Sequence, residues 1–262
     1  TNTILLNSFV MPSIVINGNN STILNGQNLC GIISVAGDSK TYTIQDITLQ
    51  NGSSSQGGGI LKTSGTNTLN VLNTDIENCH AATNGGGIFT VGGLVTLDTC
   101  RITNCSAVQD GGGVYNNYSE ITISGSTFNE CSAQINGGGF YNNGGGVDFS
   151  GCTIQNSSAA LNGGGMYIGS GTIKMENSII GRNIGTSLEE IESYITAHGH
   201  PTEANFGNKA QNGGGIWCID GSVECNTLYV TYNYASGSTG GFYNAAATSS
   251  EFISGLIAGN WA

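Results

Sequence analysis

The chain has 262 residues, with 17 Asp and Glu against 6 Lys and Arg, a formal net charge of −11, and only 9% of its residues charged. That balance disfavours nucleic acid and anionic membrane surfaces as partners, and no apolar run approaches the roughly 20 residues needed to insert across a bilayer. No basic-then-apolar leader is visible, so the numbering is expected to start at a mature or truncated end.

A tri-glycine recurs along the chain, beginning at Gly57, Gly85, Gly111, Gly137, Gly163 and Gly213, with a degraded copy at Gly240-Gly241. The intervals are 28, 26, 26, 26 and 50 residues, and a fixed period of this size marks a repeat architecture. Aligned on the first glycine, the fourth column reads Ile60, Ile88, Val114, Phe140, Met166, Ile216 and Phe242, and the fifth reads Leu61, Phe89, Tyr115, Tyr141, Tyr167, Trp217 and Tyr243. Period-two alternation places these two ladders on opposite faces of one short strand, the fourth column inward.

A second alternating run follows, from Leu69-Asn70-Val71 and Val95-Thr96-Leu97 to Val223-Glu224-Cys225, and a third is centred on Ile76, Ile102, Phe128, Ile154, Ile180 and Val230. Three short strands per repeat and no helical segment between them imply an all-β fold: one single-stranded, right-handed parallel β-helix domain spanning residues 1–262, with about eight coils. At the strand spacing of about 4.8 Å this makes a rod roughly 40 Å long. The triplets are expected where the backbone turns or approaches the next coil too closely for a Cβ.

Each third strand ends in a turn running from Ile76 to Cys79, Ile102 to Cys105, Phe128 to Cys131, Ile154 to Ser157, Ile180 to Asn183 and Val230 to Asn233, and alanine follows two residues later at Ala81, Ala107, Ala133, Ala159 and Ala235. The stretch from Phe128 through Cys131 to Gly137-Gly138-Gly139-Phe140 resembles the repeat of polymorphic outer-membrane proteins and related adhesin-like β-helix proteins, in which Phe-x-x-Asn precedes Gly-Gly-(Ala or Gly)-Ile. The opening Ile14 to Gly26 is similar to first coils of extracellular right-handed β-helices. The resemblance covers nearly the whole chain and implies the fold and a cell-surface location rather than an activity. Cysteine in place of Asn in three successive coils departs from the family pattern.

Eight cysteines in a secreted chain suggest bridges. Cys79, Cys105 and Cys131 share a column at a spacing a disulfide accepts, so that one pair of the three can bond or all can remain an inward thiol ladder. Cys218 and Cys225 can bridge within one coil. No Cys-x-x-Cys spacing suggests a metal, and no cofactor is expected.

The long interval holds an insertion over 186–209. Ser187 with Glu190 forms a capping box, Leu188, Ile191 and Ile195 recur at helical spacing, and Gly199 and Pro201 end the run, which predicts a short helix. Glu190, Glu192, His198, His200 and Glu203 crowd it, as a metal site, an acid/base pair or simply a solvated face.

Hydrolases of the polygalacturonase type carry Asn-Thr-Asp, Asp-Asp, Gly-His-Gly and Arg-Ile-Lys; here only Asn73-Thr74-Asp75 is present. The reading is therefore non-enzymatic, with no catalytic residues assigned. Phe89, Tyr115, Tyr141, Tyr167, Trp217 and Tyr243 form the best candidate binding surface, suited to a sugar face or a neighbouring subunit. Tyr232, Tyr234 and Trp261 add aromatic surface near the C-terminus, and coil ends without charged caps invite stacking on another copy. Among the Asn-x-(Ser or Thr) sites, Asn20, Asn51 and Asn117 are candidate glycan acceptors. These features together suggest an extracellular subunit of a sheath, fibre or surface layer, or an adhesin stalk, that associates with itself or with other surface proteins. The alternative is a β-helix that binds or cleaves polysaccharide.

Overall fold

A computed structural model describes residues 3–6, 13–63, 65–185, 187–245 and 251–262. It is a parallel β-solenoid of about nine coils with one helix. Residues Ile4, Ile33, Ile60, Ile88, Val114, Phe140, Met166, Ile216 and Phe242 stand in continuous parallel register. The coil count exceeds the expected eight because two N-terminal coils lack the glycine triplet that marks the others.

Two further inward columns complete the core. Ile44, Val71, Leu97, Ile123, Phe149, Met175 and Cys225 form one. Leu49, Ile76, Ile102, Phe128, Ile154, Ile180 and Val230 form the other. All of these side chains are buried, each contributing about 1.5–3 kcal/mol of transfer free energy. Because each rung meets only the rungs beside it, stability accumulates coil by coil.

The coil contains one strand more than the sequence pattern suggests. Two-residue segments such as His80–Ala81, Ser106–Ala107 and Ser132–Ala133 pair into a separate seven-stranded sheet. The alanine of each points inward and is buried, and its small side chain lets the backbone close tightly over the core.

Corners are made by single residues in the left-handed region. One corner uses Asn73, Thr99, Gly125, Gly151 and Asn177; the next uses Asn51, Asn78, Asn104, Glu130 and Asn156. Asn is frequent there because it tolerates positive φ at low cost. The first glycine of each triplet makes a third such corner, as at Gly111 (φ +67°). The middle glycine is required by proximity instead: a Cβ on Gly112 would collide with the Ser132 carbonyl and lie 2.5 Å from the Gly138 carbonyl of the next coil.

The insertion folds as expected into the helix Leu188–His198, capped by the reciprocal Ser187 and Glu190 contacts; its first residue, 186, lies outside the described residues. Ile191 is buried and joins Ile184 and Tyr232 in a small satellite cluster that also engages Tyr194, Ile195, Leu256 and Ala258. Leu188 does not join it and is 57% exposed, so the apolar stripe is one residue shorter than its spacing implied.

Candidate functional site

The six aromatic residues occupy successive rungs of one outward column. They form two stacks. Phe89, Tyr115, Tyr141 and Tyr167 follow one another at centroid separations of 5.2, 4.7 and 4.8 Å with interplanar angles of 12°, 6° and 11°. Trp217 and Tyr243 make a second stack at 3.8 Å and 13°. Phe89 and Tyr167 are buried, and the others are half-buried.

This stacking determines what the surface can bind. Parallel rings cover one another's faces, so the half-buried Tyr115 and Tyr141 offer ring edges rather than faces. A sugar ring therefore meets an edge rather than the face envisaged from sequence. Burial pushes the Tyr115 hydroxyl up to about 12, and the Asp110 carboxylate adds to the shift. Tyr141 and Tyr167 are raised by the same two causes. The hydroxyls of Tyr115, Tyr141 and Tyr167 consequently stay neutral across the ordinary pH range.

Beside the rings runs a rail that sequence reasoning missed, although its signal was present: an Asn or Asp immediately precedes the triplet in five coils. Asn212 Nδ2 donates to Asn162 Oδ1 at 3.0 Å, Asn162 Nδ2 to Asn136 Oδ1 at 2.8 Å, and Asn136 Nδ2 to Asp110 Oδ1 at 3.0 Å. An ionised carboxylate only accepts, so Asp110 sets the direction of every amide behind it. Burial raises the Asp110 carboxyl, while the bonds from Asn136 work against that shift.

All eight cysteines are free thiols, in line with the inward-ladder alternative, and neither of the two possible pairings is formed. Cys79, Cys105 and Cys131 belong to a corner column that continues through Ser157, Asn208, Asn233 and Asn260. Cys105 Sγ and Cys131 Sγ each lie 3.5 Å from a carbonyl of the preceding coil, Ile76 and Ile102. Asn208 and Asn233 Nδ2 make the corresponding bonds at 2.9 Å, to Ile154 and Ile180. Cys218 stands instead in an inward column with Lys62, Thr90, Asn116, Asn142 and Ile168, whereas Cys225 stacks on Met175 of another strand. Lys62 is buried in that column, donating to the carbonyls of Val91 (3.1 Å) and Gly92, and burial pulls its ammonium down to about 8.

The charged groups of the insertion do not converge. Glu190 caps the helix, His198 stacks on Tyr194 at 4.2 Å, His200 tilts against Trp261 at 4.4 Å, and Glu203 pairs with Lys209 at 3.3 Å. Among the described residues no three His, Cys, Asp or Glu side chains are placed to hold a metal ion. Tyr232, expected at the surface, is fully buried, and its hydroxyl donates to the Gly199 carbonyl at 2.9 Å. Asp75 of the Asn-Thr-Asp tripeptide is held by Arg101 at 2.7 Å.

Of the candidate glycan acceptors, Asn20 is exposed and Asn51 half-buried at its corner. Asn117 is also half-buried, accepting from Asn143 Nδ2 at 3.0 Å rather than sitting on a free loop. A shallow groove of about 380 Å³, also unforeseen, runs over the second strands and is lined by Asp148, Lys174, Glu176, Glu224 and Glu251. Lys174 and Glu224 pair across its floor at 3.5 Å. No helix among the described residues is long and apolar enough to cross a membrane. Comparison of the chain with family models, curated proteins and solved structures finds no match.

Proposed function

We propose that the chain is an extracellular, non-catalytic β-solenoid of the kind its adhesin-like resemblance implies. It serves as a subunit of a cell-surface sheath, fibre or layer, or as an adhesin stalk, through lateral and end-to-end protein contacts. One observation carries the reading: the row of aromatic edges and neutral hydroxyls repeats at coil spacing beside the polarised Asn rail. A partner with the same repeat, a second copy of this chain foremost, matches such a row rung for rung. Charged residues make up only 9% of the chain, but their net charge of −11 opposes contact between copies at low salt, so association should strengthen as salt screens it.

Electron microscopy of the purified chain tests this. Ordered filaments, sheets or paired rods are expected, and replacing Tyr115, Tyr141 and Tyr167 together by Ser should disperse them while the circular dichroism of the solenoid persists. Monodisperse rods that bind or depolymerise a glycan would overturn the reading. The groove around Lys174 supports that second reading, because its five ionisable side chains flank a channel parallel to the stack.

A further inference from the structure

The rail asparagines each precede glycine, the sequence in which spontaneous deamidation is fastest because nothing shields the backbone. In that reaction the glycine amide nitrogen attacks the Asn Cγ and forms a C–N bond. The Cγ–Nδ2 bond breaks, ammonia leaves with the amide proton, and water later opens the succinimide to Asp or isoaspartate. Both reacting groups must be free for this to happen.

At the rail neither is free. The amides of Gly137, Gly163 and Gly213 donate to the next coil's carbonyls on Asn162, Asn212 and Ser238, each at 3.0 Å. The leaving amides of Asn136, Asn162 and Asn212 are bonded at 2.8–3.0 Å, as described above. Both bonds must open before reaction, so the rate is scaled down by the opening equilibrium.

Asn51-Gly52 differs on both counts. The Asn51 Nδ2 contact to Asn25 is long, at 3.3 Å. Among the described residues no backbone carbonyl accepts from the Gly52 amide; what faces it is the Cys79 sulfur, a weak acceptor. We infer that Asn51 is a site of spontaneous deamidation in the folded chain and that the rail acts as a lock against the same reaction at Asn136, Asn162 and Asn212. The identity of the corner residue at 79 controls the difference.

The test is peptide mapping by mass spectrometry of the unglycosylated full chain during incubation at mildly alkaline pH, native and in urea. In the native protein Asn51 should convert at least about tenfold faster than the three rail residues, the ratio a one-in-ten opening equilibrium imposes. In urea the four should converge. Cys79→Ser supplies an oxygen acceptor, as Ser157 already does for the Cys131 amide at 3.3 Å, and should slow conversion at Asn51 several-fold. Native conversion of Asn136, Asn162 or Asn212 at the Asn51 rate, or a Cys79→Ser chain with an unchanged Asn51 rate, would overturn the inference. The urea arm keeps both outcomes readable because it reports intrinsic reactivity without the fold.

Discussion

One corner column runs through two chemically different regions of the rod. In the C-terminal part Asn208, Asn233 and Asn260 form an amide chain, Asn208 Nδ2 reaching Asn233 Oδ1 at 3.0 Å and Asn233 Nδ2 reaching Asn260 Oδ1 at 2.9 Å. Each amide also satisfies a carbonyl of the preceding coil. In the N-terminal part Cys79, Cys105 and Cys131 occupy the same position with thiols at 3.5–3.9 Å from their carbonyls. Burial raises the Cys105 thiol, while the bond it gives Cys79 lowers that neighbour. The same corner can thus be closed by strong directional bonds or by soft apolar packing. The comparison teaches that backbone geometry, rather than any one side chain, defines the turn.

The two regions should respond differently to mutation. Asn233→Ala strands the Ile180 carbonyl and takes a partner from the Asn208 and Asn260 side chains in the interior, and should lower unfolding free energy by about 3 kcal/mol. Chemical denaturation measures this. Cys105→Ala removes one small buried group and should cost only about 1–2 kcal/mol. Equal losses would remove the distinction.

A smaller effect should appear with pH. Cys100 is pushed up to about 12 by burial, and Cys105, Cys152, Cys218 and Cys225 are also raised by burial. Unfolded thiols ionise near about 8.5. The unfolded chain therefore loses protons first, and the thiols' contribution to stability is complete below about 8.5 and declines as pH rises toward 12. Lys62, pulled down to about 8, acts oppositely between about 8 and its ordinary 10.5. Five thiols outnumber one amine, so urea midpoints should fall from pH 8.5 to 10.5, and Lys62→Met should steepen the fall. The smallest change is expected from Ser157→Asn, which extends the amide chain by one rung and should raise stability by roughly 0.5–1.5 kcal/mol, the net value of a buried hydrogen bond.

Much of this architecture was legible because the 26-residue period superposes like on like. Ile102, Phe128 and Ile154 fall on adjacent rungs as their spacing required. The second sheet was not legible, since a two-residue Ser-Ala segment is too short to show alternation. Lys62, Thr90, Asn116 and Asn142 lie two residues beyond the apolar column and so share its inward face, yet their polarity conceals the burial; Asn116 Nδ2 donates to Asn142 Oδ1 at 2.7 Å inside the coil. Tyr232 misled for the converse reason, because the helix Leu188–His198 that covers it lies well before it in the chain and its docking is not encoded locally. The aromatic ladder was found from its column, but ring stacking, which decides whether faces or edges are offered, depends on side-chain torsions that composition does not encode.

Native-state hydrogen exchange at the corner amides tests the central claim most directly. The amides of Ser157 and Asn233, bonded to the side-chain Oδ1 atoms of Asn208 and Asn260 at 3.0 and 2.9 Å, should exchange at least about tenfold more slowly than Gly52, which faces sulfur. Equal protection at all three, or a Gly52 slower than Asn233, would contradict a corner whose backbone turn is shared but whose local protection is set by whether oxygen or sulfur faces the amide.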